Sequence, residues 1–206
     1  MERIIAYIDG FNLYFGMKSK GWQRYYWLNI HLLAQSLLKP NQQLMCTKYF
    51  TSRVASVPAD PKKHKRQGIY LEALGTLPNL DIFYGHYLPK EMHCKKCGSS
   101  WKTHEEKMTD VNISVELIKD AFQNKFDMAL LISGDSDLVH PVQTIRHIFP
   151  IKRIVVGFPP ERQSRHLKQV ANACLAIGRK KIADSLLPNE VRKSDGYILR
   201  CPHKWR

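Results

Sequence analysis

Short apolar runs without a polar break limit the choice of fold for this chain more than any other property of its sequence. Ile4 to Ile8 and Met128 to Ser133 are the most continuous of these runs, and residues 44–51, 80–87 and 153–158 are three further candidate strands. A strand with apolar side chains on both sides has to be covered on both faces, as in a parallel sheet. The sequence therefore predicts five strands of one buried sheet.

Helical patterns lie between these candidate strands. Val111, Val115, Ile118 and Phe122 step by four, three and four residues, which is the period of a helix with one apolar face. Similar stripes occur at 30–37, 69–74, 138–145 and 167–174. Strands that alternate with helices predict βαβ units, and therefore an α/β fold with a central parallel sheet.

The length of 206 residues favours one domain with a small insertion. Residues 89–107 interrupt the alternation of strands and helices, and we expect them to form a Cys-containing insertion. We place the main domain at 1–180 and a basic C-terminal extension at 181–206. Pro188 and Asp195-Gly196 indicate a small hairpin or an extended arm within that extension.

The formal net charge is +14, and the surplus is uneven. Residues 146–206 contain fourteen Lys and Arg against four Asp and Glu. A basic surface attracts polyanions, of which nucleic acid is the main cellular example. The alternative is a solvated basic face that only keeps the protein dispersed.

The sequence contains no apolar stretch of the length that a membrane helix needs. Met1 is followed by an acidic residue and by an apolar run too short for a signal peptide. The five cysteines are an odd number, which argues against a disulfide framework. We therefore expect a cytoplasmic protein without a membrane partner, and the sequence leaves its oligomeric state open. Cys46 and Cys174 sit in apolar runs and are expected to be buried.

Acidic residues follow two of the predicted strands and begin one helix. Asp9 comes directly after the first strand, and Asp135 and Asp137 follow the fourth strand after Ser133-Gly134. Asp110 stands where the helix of Val111 starts. In parallel sheets, ligands bind beyond the carboxyl ends of the strands, where these turns should meet. Taken singly, each acid could equally well cap a helix or a turn.

Carboxylates gathered in one place repel each other, and a hard divalent cation would relieve that repulsion. Mg²⁺ prefers oxygen ligands and keeps several waters, so a few aspartates can hold it. Such a site can activate water and offset the charge that develops on a phosphodiester. Haloacid-dehalogenase phosphatases also place an aspartate after a first strand, but they need a second one two residues later. Phe11 occupies that position here.

Three segments in order along the chain resemble one known family. They are Tyr7-Ile8-Asp9-Gly10-Phe11-Asn12-Leu13, Glu106-Lys107-Met108-Thr109-Asp110-Val111 and Leu131-Ile132-Ser133-Gly134-Asp135-Ser136-Asp137-Leu138. With them, the sequence resembles the NYN domain family, a branch of the PIN-like nuclease superfamily that includes the LabA-like proteins. Ser164 to Asn172 also resembles the family's last helix. The resemblance covers about residues 3–180.

The resemblance implies a Rossmann-like sheet in the order 3-2-1-4-5 and a ribonuclease dependent on Mg²⁺ or Mn²⁺. By motif match, the metal ligands would be Asp9, Asp110, Asp135 and Asp137. Asn12 and Ser133 would orient ligands or phosphate. The chain departs from the family in having Met108-Thr109 where a Gly often precedes the central Asp. Two alternatives stay open: an RNA-binding or regulatory module that cleaves nothing, and a nuclease that acts on DNA.

Several basic residues fall near the expected groove and are candidate phosphate contacts. They are Arg53, Lys62, Lys63, Lys65, Arg66, Lys107, Arg162 and Arg165. A solvated surface is the alternative for each. A cluster of Trp22, Tyr25, Tyr26 and Trp27 favours core packing over base stacking.

Cys94 and Cys97 have the spacing of half a zinc knuckle, with Gly98 at the turn. His104 is a third candidate ligand for a structural Zn²⁺. His93, or Cys201 with His203, could complete the set. The alternative is a reduced loop with two free thiols.

Overall fold

The computed structural model of the protein describes residues 1–56, 60–94 and 96–206, except for the side chains of 87–91 and 101–106. The strands are β1 (Glu2–Asp9), β2 (Gln42–Thr51), β3 (Leu80–Tyr84), β4 (His86–His93), β5 (Ser100–Lys107), β6 (Met128–Ile132), β7 (Arg153–Phe158), β8 (Ala173–Ala176), β9 (Glu190–Arg192) and β10 (Ile198–Arg200). The helices are α1 (Gly10–Ser19), α2 (Ile30–Ser36), α3 (Lys63–Leu74), α4 (Thr109–Phe122), α5 (Val139–Ile148), α6 (Arg165–Val170) and α7 (Arg179–Ala183).

Six parallel strands form the central sheet in the order β3-β2-β1-β6-β7-β8. The predicted α/β fold is therefore confirmed. The five strands expected from the sequence follow the order 3-2-1-4-5, and β8 extends the sheet by one further strand. Because all strands run the same way, the ends of β1 and β6 lie side by side at one edge, with Ile8 paired to Ile132.

Strand β1 shows why the sheet has to be covered on both faces. Ile4 and Ile8 point into a core formed with α1, α2, α3 and the C-terminal segment, while Ile5 and Tyr7 point into a core formed with α4, α5 and α6. Successive side chains of a strand face opposite sides, so an unbroken apolar run supplies both cores at once. No helix in the described ranges has both the length and the apolar character needed to cross a bilayer.

Two predictions about element boundaries were wrong. Strand β3 ends at Tyr84 rather than at residue 87, and the chain turns at Gly85 into the antiparallel hairpin of β4 and β5. The apolar stripe at 167–174 was expected to be one helix, but α6 ends at Val170 and Cys174 lies on β8, exposed. Asn172 causes this break, because its side chain accepts a hydrogen bond from the Ile154 amide at 2.8 Å and starts the pairing with β7.

Residues 181–206 continue the first core. The segment contains α7, the β9–β10 hairpin and a final helical turn at His203–Trp205. Ile182, Leu187, Val191 and Leu199 are all buried against the helices on that face. The extension is basic in composition, but it packs through apolar side chains.

Candidate active site

Asp9 is a buried carboxylate at the junction of β1 and α1. It caps the helix, since its Oδ1 accepts the amide N–H of Asn12 at 2.9 Å. Its Oδ2 accepts a hydrogen bond from the Ser133 hydroxyl, also at 2.9 Å. Gly10 follows because a Cβ there would lie 2.8 Å from the Phe50 carbonyl oxygen on the neighbouring strand. The first predicted acid is therefore held in a fixed orientation at the sheet edge.

The turn after β6 is tied to the turn after β1 by side chains of both. The Gly134 amide donates to the Asn12 side-chain oxygen at 2.9 Å, and the Ser133 hydroxyl accepts from the Asp135 amide at 3.0 Å. Asp9, Ser133 and Asn12 thus connect two strand ends that lie more than a hundred residues apart in sequence.

Asp135 and Asp137 lie on the turn that leads into α5. Asp135 accepts the Asp137 amide N–H at 3.0 Å and caps the helical turn Ser136–Leu138. Asp135 is half-buried and Asp137 is exposed. The capping role that the sequence allowed is present in this structure. This hydrogen bond uses one lone pair of the Asp135 carboxylate, which has about four lone pairs in total.

Asp110 lies in the first turn of α4 and is half-buried. Burial, followed by repulsion from Asp9, Asp135 and Asp137, raises the pKa of its carboxyl to about 7. Like charges shift a pKa strongly only when they are close. The structure therefore brings the four predicted aspartates into one electrostatic neighbourhood.

The turn before Asp110 has an unusual backbone. Met108 has a φ of 76°, in the left-handed region that L residues with side chains rarely adopt. The close approach of Gly85 helps to hold this turn, because a Cβ on Gly85 would lie 2.5 Å from the carbonyl oxygen of Lys107. A Gly would suit such a backbone, and this chain has Met108 there instead.

A divalent cation fits the chemistry of this cluster. Oxygen donors and mutual repulsion among four carboxylates are what Mg²⁺ or Mn²⁺ would satisfy. Within the part of the chain that is described, no three His, Cys, Asp or Glu side chains are already arranged around one point as a closed metal site. Binding of a metal would therefore require the aspartate side chains to move closer together.

Of the predicted phosphate contacts, Arg162 has its backbone against the turn after β6. A Cβ on Gly134 would lie 2.5 Å from the Arg162 carbonyl oxygen, so the two backbones are in contact. Arg162 and Arg165 are exposed on the same side of the fold as the β6 turn. Lys107 is exposed next to Met108, and the Arg53 guanidinium lies 5.1 Å from the centre of the Tyr84 ring.

The basic run at the start of α3 divides into two faces. Lys62 and Lys65 are exposed, whereas Lys63 and Arg66 are half-buried and line a cavity. Arg66 pairs with Asp60, and Lys63 lies 5.4 Å from the centre of the Tyr14 ring. The run is thus not a uniform solvated face.

That cavity was not predicted from the sequence. It has a volume of about 440 Å³, lies between α1, α3 and the chain's last residues, and includes Gly10 and Phe11 in its wall. Tyr26 packs against the first core, as expected, and also lines this cavity together with Tyr14 and Trp205. A partial signal was available, since Phe11, Tyr14 and Lys18 share one face of α1 at helical spacing.

Cys94 and Cys97 form a turn at the tip of the β4–β5 hairpin. The Gly98 amide donates to the Cys94 carbonyl at 2.9 Å, and Gly98 has a φ of 70°. Hydrogen bonds, first with Ser99 and then with Cys94, lower the pKa of the Cys97 thiol to about 7. The His104 side chain lies outside the described residues. Cys201 is buried in the first core.

The chain is similar to two known proteins. It is 28% identical over 195 residues to the 6-hydroxy-3-succinoylpyridine 3-monooxygenase HspA of Pseudomonas putida, with 79% of this chain covered. The chain spans 61% of that relative's length. A crystal structure of a protein of unknown function from Vibrio parahaemolyticus matches with a TM-score of 0.56 and 20% identity. That match covers 90% of this chain and 96% of the other, and it shows a shared fold.

The family model of the NYN domain matches residues 3–178. This range includes all four aspartates and both linked turns, and it ends after β8. Because the match covers most of the chain, the protein belongs to the NYN domain family of the PIN-like superfamily and has a nuclease-like fold.

Proposed function

We propose that this protein is a metal-dependent ribonuclease that hydrolyses RNA phosphodiester bonds at Asp9, Asp110, Asp135 and Asp137. The observation that carries the proposal is that hydrogen bonds from Ser133 to Asp9 and from Gly134 to Asn12 hold two acidic turns together. Burial raises the pKa of Asp110, which lies close enough to both turns for repulsion from their carboxylates to raise it further. A fold gains no stability from such repulsion, so a cluster of this kind suggests a function. Binding of a cation and a phosphate is the function that suits it best.

Each part of the site has a role in this scheme. The four carboxylates would hold one or two Mg²⁺ or Mn²⁺ ions, which supply positive charge at the phosphate and acidify a water molecule. Ser133 fixes the orientation of Asp9 through its hydroxyl. The Asn12 side-chain oxygen is committed to Gly134, and its amide nitrogen can donate to a phosphate oxygen.

The charge of the protein supports a polyanionic substrate. The net charge is +14, and the exposed residue Arg162 has its backbone against the turn after β6. Surrounding cations attract the nucleic acid, and the carboxylates concentrate the metal at one point. RNA rather than DNA is proposed from the family resemblance alone.

A second candidate is an RNA-binding or regulatory module that does not cleave. The observation in its favour is that Asp9 and Asp135 already serve as caps of a helix and a turn. In that case the acids would have structural roles only. The two candidates differ in whether a metal produces cleavage.

The test is cleavage of end-labelled single-stranded RNA with Mn²⁺ or Mg²⁺ by the wild type and by Asp135→Asn. Loss of groups that merely orient a metal ligand typically costs about 10- to 100-fold. Removal of a ligand carboxylate should therefore reduce the cleavage rate by at least about a hundredfold. Chelation of the metal should stop cleavage by the wild type.

Asp195→Asn is the matched control. Asp195 is an exposed aspartate of the C-terminal hairpin that accepts the Tyr197 amide N–H at 2.9 Å, a bond that Asn can also accept. This variant should cleave as the wild type does. Cleavage that persists in Asp135→Asn would contradict the proposal. Tight RNA binding without cleavage by any variant would favour the second candidate.

A further inference from the structure

The cavity beside the acidic site has aromatic walls. Tyr14, Tyr26, Tyr49, Tyr70 and Trp205 all line it. The ring centres of Tyr14 and Tyr26 are 4.9 Å apart, and those of Tyr26 and Trp205 are 5.8 Å apart. A volume of about 440 Å³ falls in the range of about 300–1,000 Å³ that small-molecule sites occupy. A planar ring is the group that such walls would enclose.

The same cavity is strongly cationic. Lys18, Lys63, Arg66 and Lys204 contribute four positive charges to the lining, and Asp60 contributes one negative charge. Asp60 is already shared, since it pairs with both Arg66 and Lys204. Lys18 and Lys63 have no carboxylate within ion-pair distance among the described residues, so their charges remain for a ligand.

Lys63 is a half-buried cation of this cavity. Burial, followed by repulsion from Lys18 and Arg66, lowers the pKa of its ammonium group. Its nearest aromatic neighbour is Tyr14, 5.4 Å from nitrogen to ring centre. A bound anion would relieve the repulsion among these cations, and an aromatic ring joined to that anion would lie against Tyr14.

The position of the cavity connects it to the proposed cleavage site. Its wall includes Gly10 and Phe11, the two residues that directly follow Asp9. An RNA strand with one phosphate at the aspartates could therefore place a neighbouring nucleotide in the cavity. A nucleotide combines a planar base with a phosphate a short distance away. The aromatic side chains of the lining suit the base, and its lysines suit the phosphate.

We propose that this cavity binds one nucleotide of the RNA substrate, with its base against Tyr14, Tyr26 and Trp205 and its phosphate beside Lys18 and Lys63. The proposal rests on the ribonuclease function for the identity of the polymer. The cavity would then fix the position of the cleaved bond relative to the bound nucleotide.

The test is calorimetric titration of the intact protein with uridine 5′-monophosphate in the presence of a chelator, so that no metal ion can hold the phosphate at the aspartates. Uridine and benzoate are titrated in parallel as the base without the phosphate and as a small aromatic anion. We expect the monophosphate to bind at least about tenfold more tightly than either.

Two lysines of α3 give a matched pair of variants. Lys63→Gln should weaken binding of the monophosphate by at least about tenfold, because a charge-assisted contact is lost. Lys65→Gln removes the same charge from an exposed position outside the cavity and should leave the affinity unchanged. Tyr14→Leu should weaken binding of the monophosphate by about fivefold or more through lost stacking.

Three results would overturn the proposal: no binding of the monophosphate, equal weakening by Lys63→Gln and Lys65→Gln, or benzoate binding as tightly as the nucleotide. Failure of the ribonuclease proposal gives a different pattern. The monophosphate then binds with the expected dependence on Lys63, while labelled RNA stays intact with every metal. Conversely, RNA cleavage without binding of the monophosphate would contradict the nucleotide site in the cavity and support the ribonuclease function.

Discussion

Asp110 is the residue whose environment opposes the folded state most clearly. Its carboxyl has a pKa of about 7 in the folded protein, against an ordinary value near 3.8. The folded state therefore keeps a proton on Asp110 across a range of pH in which the unfolded chain has already released it. As pH rises through that window, from about 4 to about 7, the contribution of Asp110 to stability falls.

Asp110→Asn should therefore stabilise the metal-free protein, and more so at about pH 8 than at about pH 5. After allowance for the partial exposure of the group, the gain at the higher pH should be about 1–2 kcal/mol. Urea unfolding in the presence of a chelator measures it. A variant whose advantage does not change with pH would show that the four acids are not coupled. Mg²⁺ should stabilise the wild type more than the variant.

The residues of the acidic cluster were accessible from the sequence because each is fixed by local geometry. An acid directly after a buried strand must lie at the carboxyl edge of the sheet, so Asp9 and Asp135 could be placed without a structure. The cavity residues were not accessible in this way. Trp205 and Lys204 meet Tyr14 only because the C-terminal segment folds back, and no local pattern encodes a contact between residues so far apart.

At the level of elements, α4 is fixed to β2 by a buried ionic cluster. The Lys48 ammonium lies 2.7 Å from Glu116 and 2.5 Å from Asp120, and the Tyr7 hydroxyl donates to Asp120 at 2.7 Å. Asp120 is fully buried and Lys48 nearly so. The cluster holds the middle of the helix whose first turn carries Asp110.

Lys48→Met should destabilise the protein by about 3–5 kcal/mol, because it leaves the Asp120 carboxylate buried without its main counter-charge. Lys125→Met is the control. Lys125 also reaches Asp120, at 3.5 Å, but its side chain is half exposed, so its loss should cost less than about 1 kcal/mol. Denaturant unfolding of both variants measures the difference. Equal, small effects would mean that the cluster contributes little to the position of α4.

Element types were easier to predict than element ends. The five strands and their order followed from continuous apolar runs and from the family resemblance. The ends of β3 and α6 could not be predicted in this way, because they depend on residues distant in sequence. Gly85 lies against the Lys107 carbonyl, and the Asn172 side chain accepts a hydrogen bond from the Ile154 amide. Strand β8 was missed because its four residues, most of them exposed, carry no alternating pattern.

At the level of the whole molecule, the C-terminal extension shares a core with the central sheet. Leu199 and Val191 are buried in the same cluster as Ile4 and Ile8. The basic composition of residues 181–206 gave no indication of this packing. The extension should therefore unfold together with the rest of the protein rather than before it.

Leu199→Ala should lower the free energy of unfolding of the entire protein by about 2–4 kcal/mol, in a single transition. Tyr197→Ala, two residues away at an exposed position, should have little effect. Thermal unfolding followed both by far-UV circular dichroism and by tryptophan fluorescence distinguishes the cases. An independent tail would give an unchanged main transition in Leu199→Ala.

The antiparallel pairing of β4 with β5 has a consequence for how this chain can vary. His86 and Lys107 are register partners, so the two ends of the hairpin stand about 5 Å apart. A gap of that size can be closed by a two-residue turn. Variants in which the hairpin beyond this pair is shortened or replaced should therefore keep the flanking strand and helix in place.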